Sequence, residues 1–407
     1  MKNFNYVKAT SLAAVFLLVT ACRNDDPLPE GQDVQSEEFK KIQVIVSDEV
    51  NTDVSAIVPF TKEVKTFQAA AAKSALYTSH SLRYAVSSNS TTGSVNFFDS
   101  GITIHGDHTH TVGTMGWSAL QGVFSKPSHI FTKFGEISVF QDGKGKLSYG
   151  FESQINDPAG KFTEVNHEDA TPHHGAMVRF SNGNYAITKD DDSVPNFSAS
   201  LPERVIIIDK SGNKIAESVL ATAGIHGDEG DGENAVFGSY SGILLVNKSG
   251  AQKLIAYPSN FTATDLLGTI YYAEASKKYY GRSSKKGLYE IDIKAGKITP
   301  VYESADISSV NLDFGSKNFV ILHNSGSAKI FNTLNSSMEK EGKIVDSFSA
   351  TDTSKPFAKA TDNFIYVTEP RKGEVYQIST KDFSKKQTFK VSSKPYQLTI
   401  IGAELNE

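Results

Sequence analysis

Residues 126–150 read KPSHIFTKFGEISVFQDGKGKLSYG: three short runs of β-branched and aromatic residues, separated by Phe-Gly and Asp-Gly turns. Such runs, closed by turn residues, are strands joined by tight connections. The same order returns in TPHHGAMVRFSNGNYAITKDD from Thr171 and in AGIHGDEGDGENAVFGSYSGILLVNKSG from Ala223. It returns again in TDLLGTIYYAEASKKYYG from Thr264, SSVNLDFGSKNFVILHNSGSAKIFN from Ser308 and KPFAKATDNFIYVTEPRKGEVYQIS from Lys355. A last partial unit, KPYQLTIIG, starts at Lys394.

The period is about 40 to 50 residues, the size of a four-stranded propeller blade. The units number seven, so the expected fold is all-β: a single seven-bladed β-propeller over residues 41–407. PYQLTIIG is expected to be the inner strand of a blade whose other strands come from the N-terminal region, closing the ring. The main candidate for helix is AAAAKSA, Ala69 to Ala75.

The repeat gives the histidines a common register. In a propeller the first strand of each blade lines the central channel, and the starts of these strands meet around one mouth. His129 starts one such strand, His173 and His174 the next, and His226 the one after. From 129 to 174 is 45 positions and from 174 to 226 is 52, one blade step each. Three consecutive blades are therefore expected to present imidazole at one height; the pattern leaves open which of His173 and His174 turns inward.

One step upstream lies HGDHTH, residues 105–110, with three of the chain's ten histidines. Gly106 allows a tight turn, so His105, Asp107 and His108 can face one point. A loop over the channel mouth would bring them onto the ring of His129, His174 and His226. Neutral imidazoles with one carboxylate are the donor set zinc prefers, four-coordinate at about 2.0–2.2 Å. Cu(I) favours thiolate and thioether, and calcium mostly oxygen. His110, His167 and His173 are candidates for supporting contacts or a second site, while His80 and His323 read as ordinary hydrogen-bonding residues. The carboxylates of TKDDDS (Asp190 to Asp192) and GDEGDGE (Asp228 to Glu233) read as exposed turns, the second able to gather cations at the mouth.

The N-terminus addresses the compartment. An apolar run after Lys2 ends in LVTAC, whose Cys22 is the single cysteine of the chain. This is the pattern of a lipoprotein signal over residues 1–21, cleaved before an acylated Cys22, with residues 22–40 expected as a flexible tether. The acidic pair Asp25–Asp26 resembles a surface-export tag of some lipoproteins. The expected location is the bacterial cell envelope, lipid-anchored at the outer membrane, on the periplasmic face or the cell surface. With its one thiol acylated, the chain forms no disulfide. A formal net charge of −5 and the lack of a basic stripe argue against nucleic acid as a partner. Neither a Gly-x-Ser-x-Gly elbow nor a phosphate loop or dinucleotide fingerprint is present.

HGDH, KPSH, TPHHG and GIHGD, in this order along a propeller, resemble the AztD-type periplasmic zinc metallochaperones, over most of the chain after FFDSG. The resemblance implies zinc ligation by His105, Asp107, His108, His129, His174 and His226. It implies delivery to the solute-binding protein of a zinc ABC transporter or another zinc acceptor. Two departures stand out: the cysteine pair that brackets the segment around His226 in that family is missing here, and a lipid anchor replaces a soluble chain. The expected function is thus a non-enzymatic zinc chaperone or scavenger. The rivals are a metal-dependent propeller hydrolase or lyase, with Asp228 or Glu229 as base, and a metal-free protein- or glycan-binding propeller.

Overall fold

The structure, a computed structural model, describes residues 37–198 and 200–405. The lipoprotein signal, Cys22 and most of the expected tether lie outside the described residues. Successive apolar runs pair with their neighbours through tight turns, because antiparallel strands can be joined by a few residues. The result among the described residues is eight four-stranded antiparallel sheets.

Their inner strands are Ala75–Thr78, Pro127–Lys133, Met177–Arg179, Ile225–Gly230, Thr269–Ala273, Ile307–Leu312, Ala358–Ala360 and Pro395–Ala403. These define blades one to eight. Blade eight is built from both ends of the fold: Pro395–Ala403 pairs with Lys41–Asp48, Ile45 lying opposite Thr399, and Asp53–Val58 and Glu63–Gln68 complete it. Every strand of the ring lies between Lys41 and Ala403, so it closes without any residue before Glu37.

All inner strands run the same way. The end where they begin is the leading end, and the end where they finish is the trailing end. Third strands run parallel to the inner strands and also finish at the trailing end.

Burial grades outward. The second strands Tyr84–Ser88 and Glu136–Gln141 are buried throughout, because both faces of each sheet are covered by neighbouring blades. The outermost strands Glu63–Gln68 and Ser337–Lys343 are largely exposed. Their lysines, Lys65, Lys340 and Lys343, keep these free edges from pairing with another chain. Between blades five and six, Tyr280 meets Phe319 edge-on with ring centroids 5.0 Å apart.

Three expectations change. The ring has eight blades and not seven; the uncounted one is residues 75–123. Its inner strand has only four residues and follows an alanine run, and a hairpin, Ile102–His105 with His108–Thr111, interrupts it between third and fourth strands. The run Ala69–Ala75 forms no helix. It is bends leading into that inner strand, with Lys73 at φ 55°. Seven residues are too few to sustain a helix alone, and Lys73 N–H donates to the Asp48 carbonyl at 2.7 Å instead. Finally, the end of the expected tether is docked: Glu38 is buried and accepts hydrogen bonds from the Tyr366 hydroxyl and from Thr361 Oγ1.

Because Ile45 is fully buried at the closing blade, Ile45→Ala is expected to destabilise the ring by about 2–5 kcal/mol in denaturant unfolding. Lys65→Ala, on an outer edge, should change stability by less than about 0.5 kcal/mol.

Candidate metal centre

His129 and His226 sit at the leading end, each where the register of an inner strand slips against its neighbour: between Pro127 and Ile130, and between Ile225 and Asp228. Such bulges re-aim side chains. Gly227 makes the second possible. Its φ is +88°, and a Cβ there would come within 2.5 Å of the Gly268 carbonyl oxygen. His174 precedes the inner strand of blade three, its N–H bonded to the Ser200 carbonyl at 2.9 Å.

These three imidazoles converge. Ring centroids are 5.5 Å apart for His129 and His174, 5.2 Å for His174 and His226, and 6.2 Å for His129 and His226. Three imidazoles bound to one tetrahedral zinc have centroids roughly 5 Å apart, given the Zn–N distance. The ring is therefore close to that spacing before any ion arrives.

Each ring is held from the same side. His129 Nδ1 lies 2.6 Å from Asp228 Oδ1, His174 Nδ1 2.7 Å from Asp142 Oδ2, and His226 Nδ1 2.8 Å from the Gly268 carbonyl. Carboxylates and carbonyls only accept, so Nδ1 carries the hydrogen and Nε2 the lone pair in all three. Among the described residues no Nε2 of this trio has a hydrogen-bond partner. Histidines whose second nitrogen is tied to a carboxylate or carbonyl are the usual arrangement around zinc. The ties run between blades: Asp228 of blade four holds His129 of blade two, and Asp142 of blade two holds His174 of blade three.

Electrostatics follow from these contacts. Burial pushes His129 down, but the Asp228 and Asp142 carboxylates pull it up by more, and the net direction is upward. His226 moves down, chiefly through burial, with positive charge on His129 and His174 adding and the Gly268 hydrogen bond opposing. Burial raises the Asp142 carboxyl, yet hydrogen bonds from His174 and Ser128 outweigh this and lower it.

Of the adjacent pair, His174 faces the ring and His173 the core. His173 is buried, bonded to the Thr171 carbonyl at 2.7 Å and to Thr188 Oγ1 at 3.0 Å, and packed on Phe140. His167 contacts the Gly145 carbonyl at 3.1 Å and stays out of the ring.

The HGDHTH stretch is a hairpin, with His105 paired to His108 across Gly106–Asp107. Gly106 has φ +63°, as the first position of a two-residue II′ turn requires. His105, His108 and His110 fall on one face, their ligand nitrogens all within 4.8 Å of one another. Asp107 does not join a shell around the ring; its exposed carboxylate meets His108 Nδ1 at 3.1 Å.

The hairpin does not cover the ring. It follows the third strand Ser94–Asp99, whose last residue pairs with Tyr84 at the start of the second strand, and so leaves the propeller at the trailing end. There Gln43 Nε2 donates to the Ser100 carbonyl at 2.9 Å. Two separate histidine trios exist where one set of six ligands was expected.

The acidic stretch after His226 is not an exposed turn. Asp228 and Glu229 belong to the inner strand Ile225–Gly230, and Glu229 pairs with Lys133 at 3.1 Å. Asp142 was missed altogether. Its one sequence signal is its place at the end of a second strand, where the leading end lies.

The fold and the site together define an eight-bladed propeller with a trio of oriented imidazoles where the inner strands of three consecutive blades begin. In sequence the chain is similar to the zinc chaperone AztD of Citrobacter koseri, 24% identical over 335 residues, covering 76% of this chain and 74% of the relative. The crystal structure of C. koseri AztD superposes with a TM-score of 0.78 at 19% identity, covering 90% of this chain and 99% of that one. Its apo structure gives 0.77 at the same identity and coverage. Dihydro-heme d1 dehydrogenase NirN shares the fold more distantly, at 0.58 and 10% identity over 91% of this chain and 77% of that one. No protein-family model matches the chain. The resemblance to AztD read from the histidine motifs thus holds along most of the chain.

In the metal-free protein, NMR titration should place the His129 midpoint above about 6.5 and that of His226 below it. Asp228→Asn should bring His129 down. Equal midpoints for the two rings, unmoved by the substitution, would contradict the assigned contacts.

Proposed function

We propose that the protein is a zinc chaperone of the bacterial cell envelope, binding Zn²⁺ as cargo through Nε2 of His129, His174 and His226. The observation that carries this reading is the Nδ1 contact made by all three rings, which points three lone pairs into one space. Three protein nitrogens leave a fourth position open, for water or for a ligand from an acceptor. That opening supports hand-over. The similarity to a protein named as a zinc chaperone supports the same cargo.

The hairpin trio His105, His108 and His110 is proposed as a second, weaker site. Its side chains are more exposed, and only His108 has an Nδ1 tie, to the exposed Asp107 carboxylate, so binding must order His105 and His110. Cys22 is proposed as the lipid attachment, keeping the propeller at the membrane that zinc must cross. The acceptor is proposed to be the solute-binding protein of a zinc transporter or another zinc-binding protein of the envelope. A non-enzymatic role is favoured because the two carboxylates the sequence offers as general bases, Asp228 and Glu229, are engaged by His129 and Lys133.

The test is zinc competition against a chelator of known affinity, using residues 37–407 stripped of metal. One tight site per chain is expected, with a weaker one abolished by the triple change His105→Ala, His108→Ala and His110→Ala. His129→Ala with His226→Ala should remove the tight site and leave the fold intact; unchanged tight binding would refute the ring as the site. Asp228→Asn should weaken tight binding by about 10- to 100-fold.

Zinc takes neutral imidazole, so protons compete as pH falls. With His129 shifted upward, affinity should already be declining between about pH 7 and 6, each displaced proton adding at most tenfold per pH unit. An affinity flat across that range would contradict imidazole ligation.

A further inference from the structure

The trailing end of the axial channel opens into a cavity of about 710 Å³, within the range of small-molecule pockets. Part of its wall is apolar and aromatic: Phe131, Phe134, Tyr272, Phe314 and Ile400. Its carboxylates are engaged. Glu229 and Glu274 share Lys133, at 3.1 and 3.5 Å, and Glu274 also holds Lys277 at 2.9 Å. Asp231 accepts the backbone N–H groups of Glu233 and Asn234 at 2.8 and 2.7 Å. Asp313 accepts from the Lys317 N–H at 2.8 Å and Asn318 Nδ2 at 2.7 Å. His80 lies at the rim beside Phe134.

Lys359, on the inner strand Ala358–Ala360, is the exception. It lines the cavity, yet its ammonium has no ion pair or hydrogen bond among the described residues. Burial alone lowers its amine to about 8, which leaves it mostly protonated at neutral pH. The Tyr77 hydroxyl, on the same cavity, likewise has no hydrogen-bond partner among the described residues. Lys359 is half-buried; a partly desolvated cation without a counter-charge gives up hydration with no ion pair in return, and methionine would span the same distance without that burden. A cation lining a cleft with no partner of its own is a candidate for binding an anion there.

We propose that this cavity binds a small organic monocarboxylate, its carboxylate on Lys359 and its carbon body against the aromatic wall. The inference stands apart from the zinc reading, since cavity and histidine ring lie at opposite ends of the channel.

The test is isothermal titration of residues 37–407 with 3-phenylpropionate, and with 3-phenylpropanol as its neutral counterpart. The carboxylate is expected to bind one per chain and the alcohol much more weakly. Lys359→Met should weaken the carboxylate at least tenfold, leave the alcohol unchanged, and melt no lower than the parent. In the parent, carboxylate affinity should fall as pH rises from 7 to 9 and the amine loses its proton, a readout that decides the matter even if the variant fails to fold. Absence of saturable carboxylate binding, equal binding of acid and alcohol, or pH-independent affinity would each overturn the proposal.

Discussion

The site depends on where three Nδ1 hydrogens go. Free imidazole exposes either nitrogen and rotates about two bonds, so three histidines brought near each other by a fold do not by themselves present three lone pairs to one point. Here Asp228, Asp142 and the Gly268 carbonyl each take one Nδ1–H, which settles tautomer and ring orientation together. Because all three acceptors belong to a different blade from the histidine they hold, Gly268 standing at the start of blade five, the site exists only when blades two to five are packed against one another.

The propeller is suited to such a demand. Its inner strands start at one end and are spaced by whole blades, so residues far apart in sequence arrive side by side; His129 and Asp228 are 99 positions apart. The strand starts are also where regular pairing breaks, and a bulge there turns a side chain toward the axis without disturbing the buried second and third strands. The ring gains its rigidity from closure, in which Pro395–Ala403 pairs with Lys41–Asp48 and leaves no free inner edge. A bound zinc would therefore meet a site whose ordering was completed by folding, while the hairpin trio would still have to be ordered by the ion.

Much of this was legible in the sequence. The recurring strand–turn order marked the propeller, and KPSH, TPHHG and GIHGD marked one register of the ring. The missed blade shows the limit: Ala75–Thr78 is too short to stand out, and a hairpin splits the sheet it begins. HGDHTH was readable as a tight turn bearing histidines, but not as belonging to the far end. Position along the chain carries no direction, and it is the antiparallel alternation within a blade that sends the end of a third strand to the opposite side from the start of a first. Asp142, and the part Asp228 plays in holding His129, escaped for another reason. A carboxylate that orients an imidazole has no local pattern, because its partner comes from another blade.

The most direct measurement is a crystal structure of residues 37–407 loaded with zinc, with data collected at the zinc absorption edge. The account predicts an anomalous peak about 2.0–2.1 Å from Nε2 of His129, His174 and His226, with the contacts to Asp228, Asp142 and Gly268 intact. Zinc on the hairpin alone with the ring empty, or zinc bound through Nδ1 with those contacts broken, would contradict it.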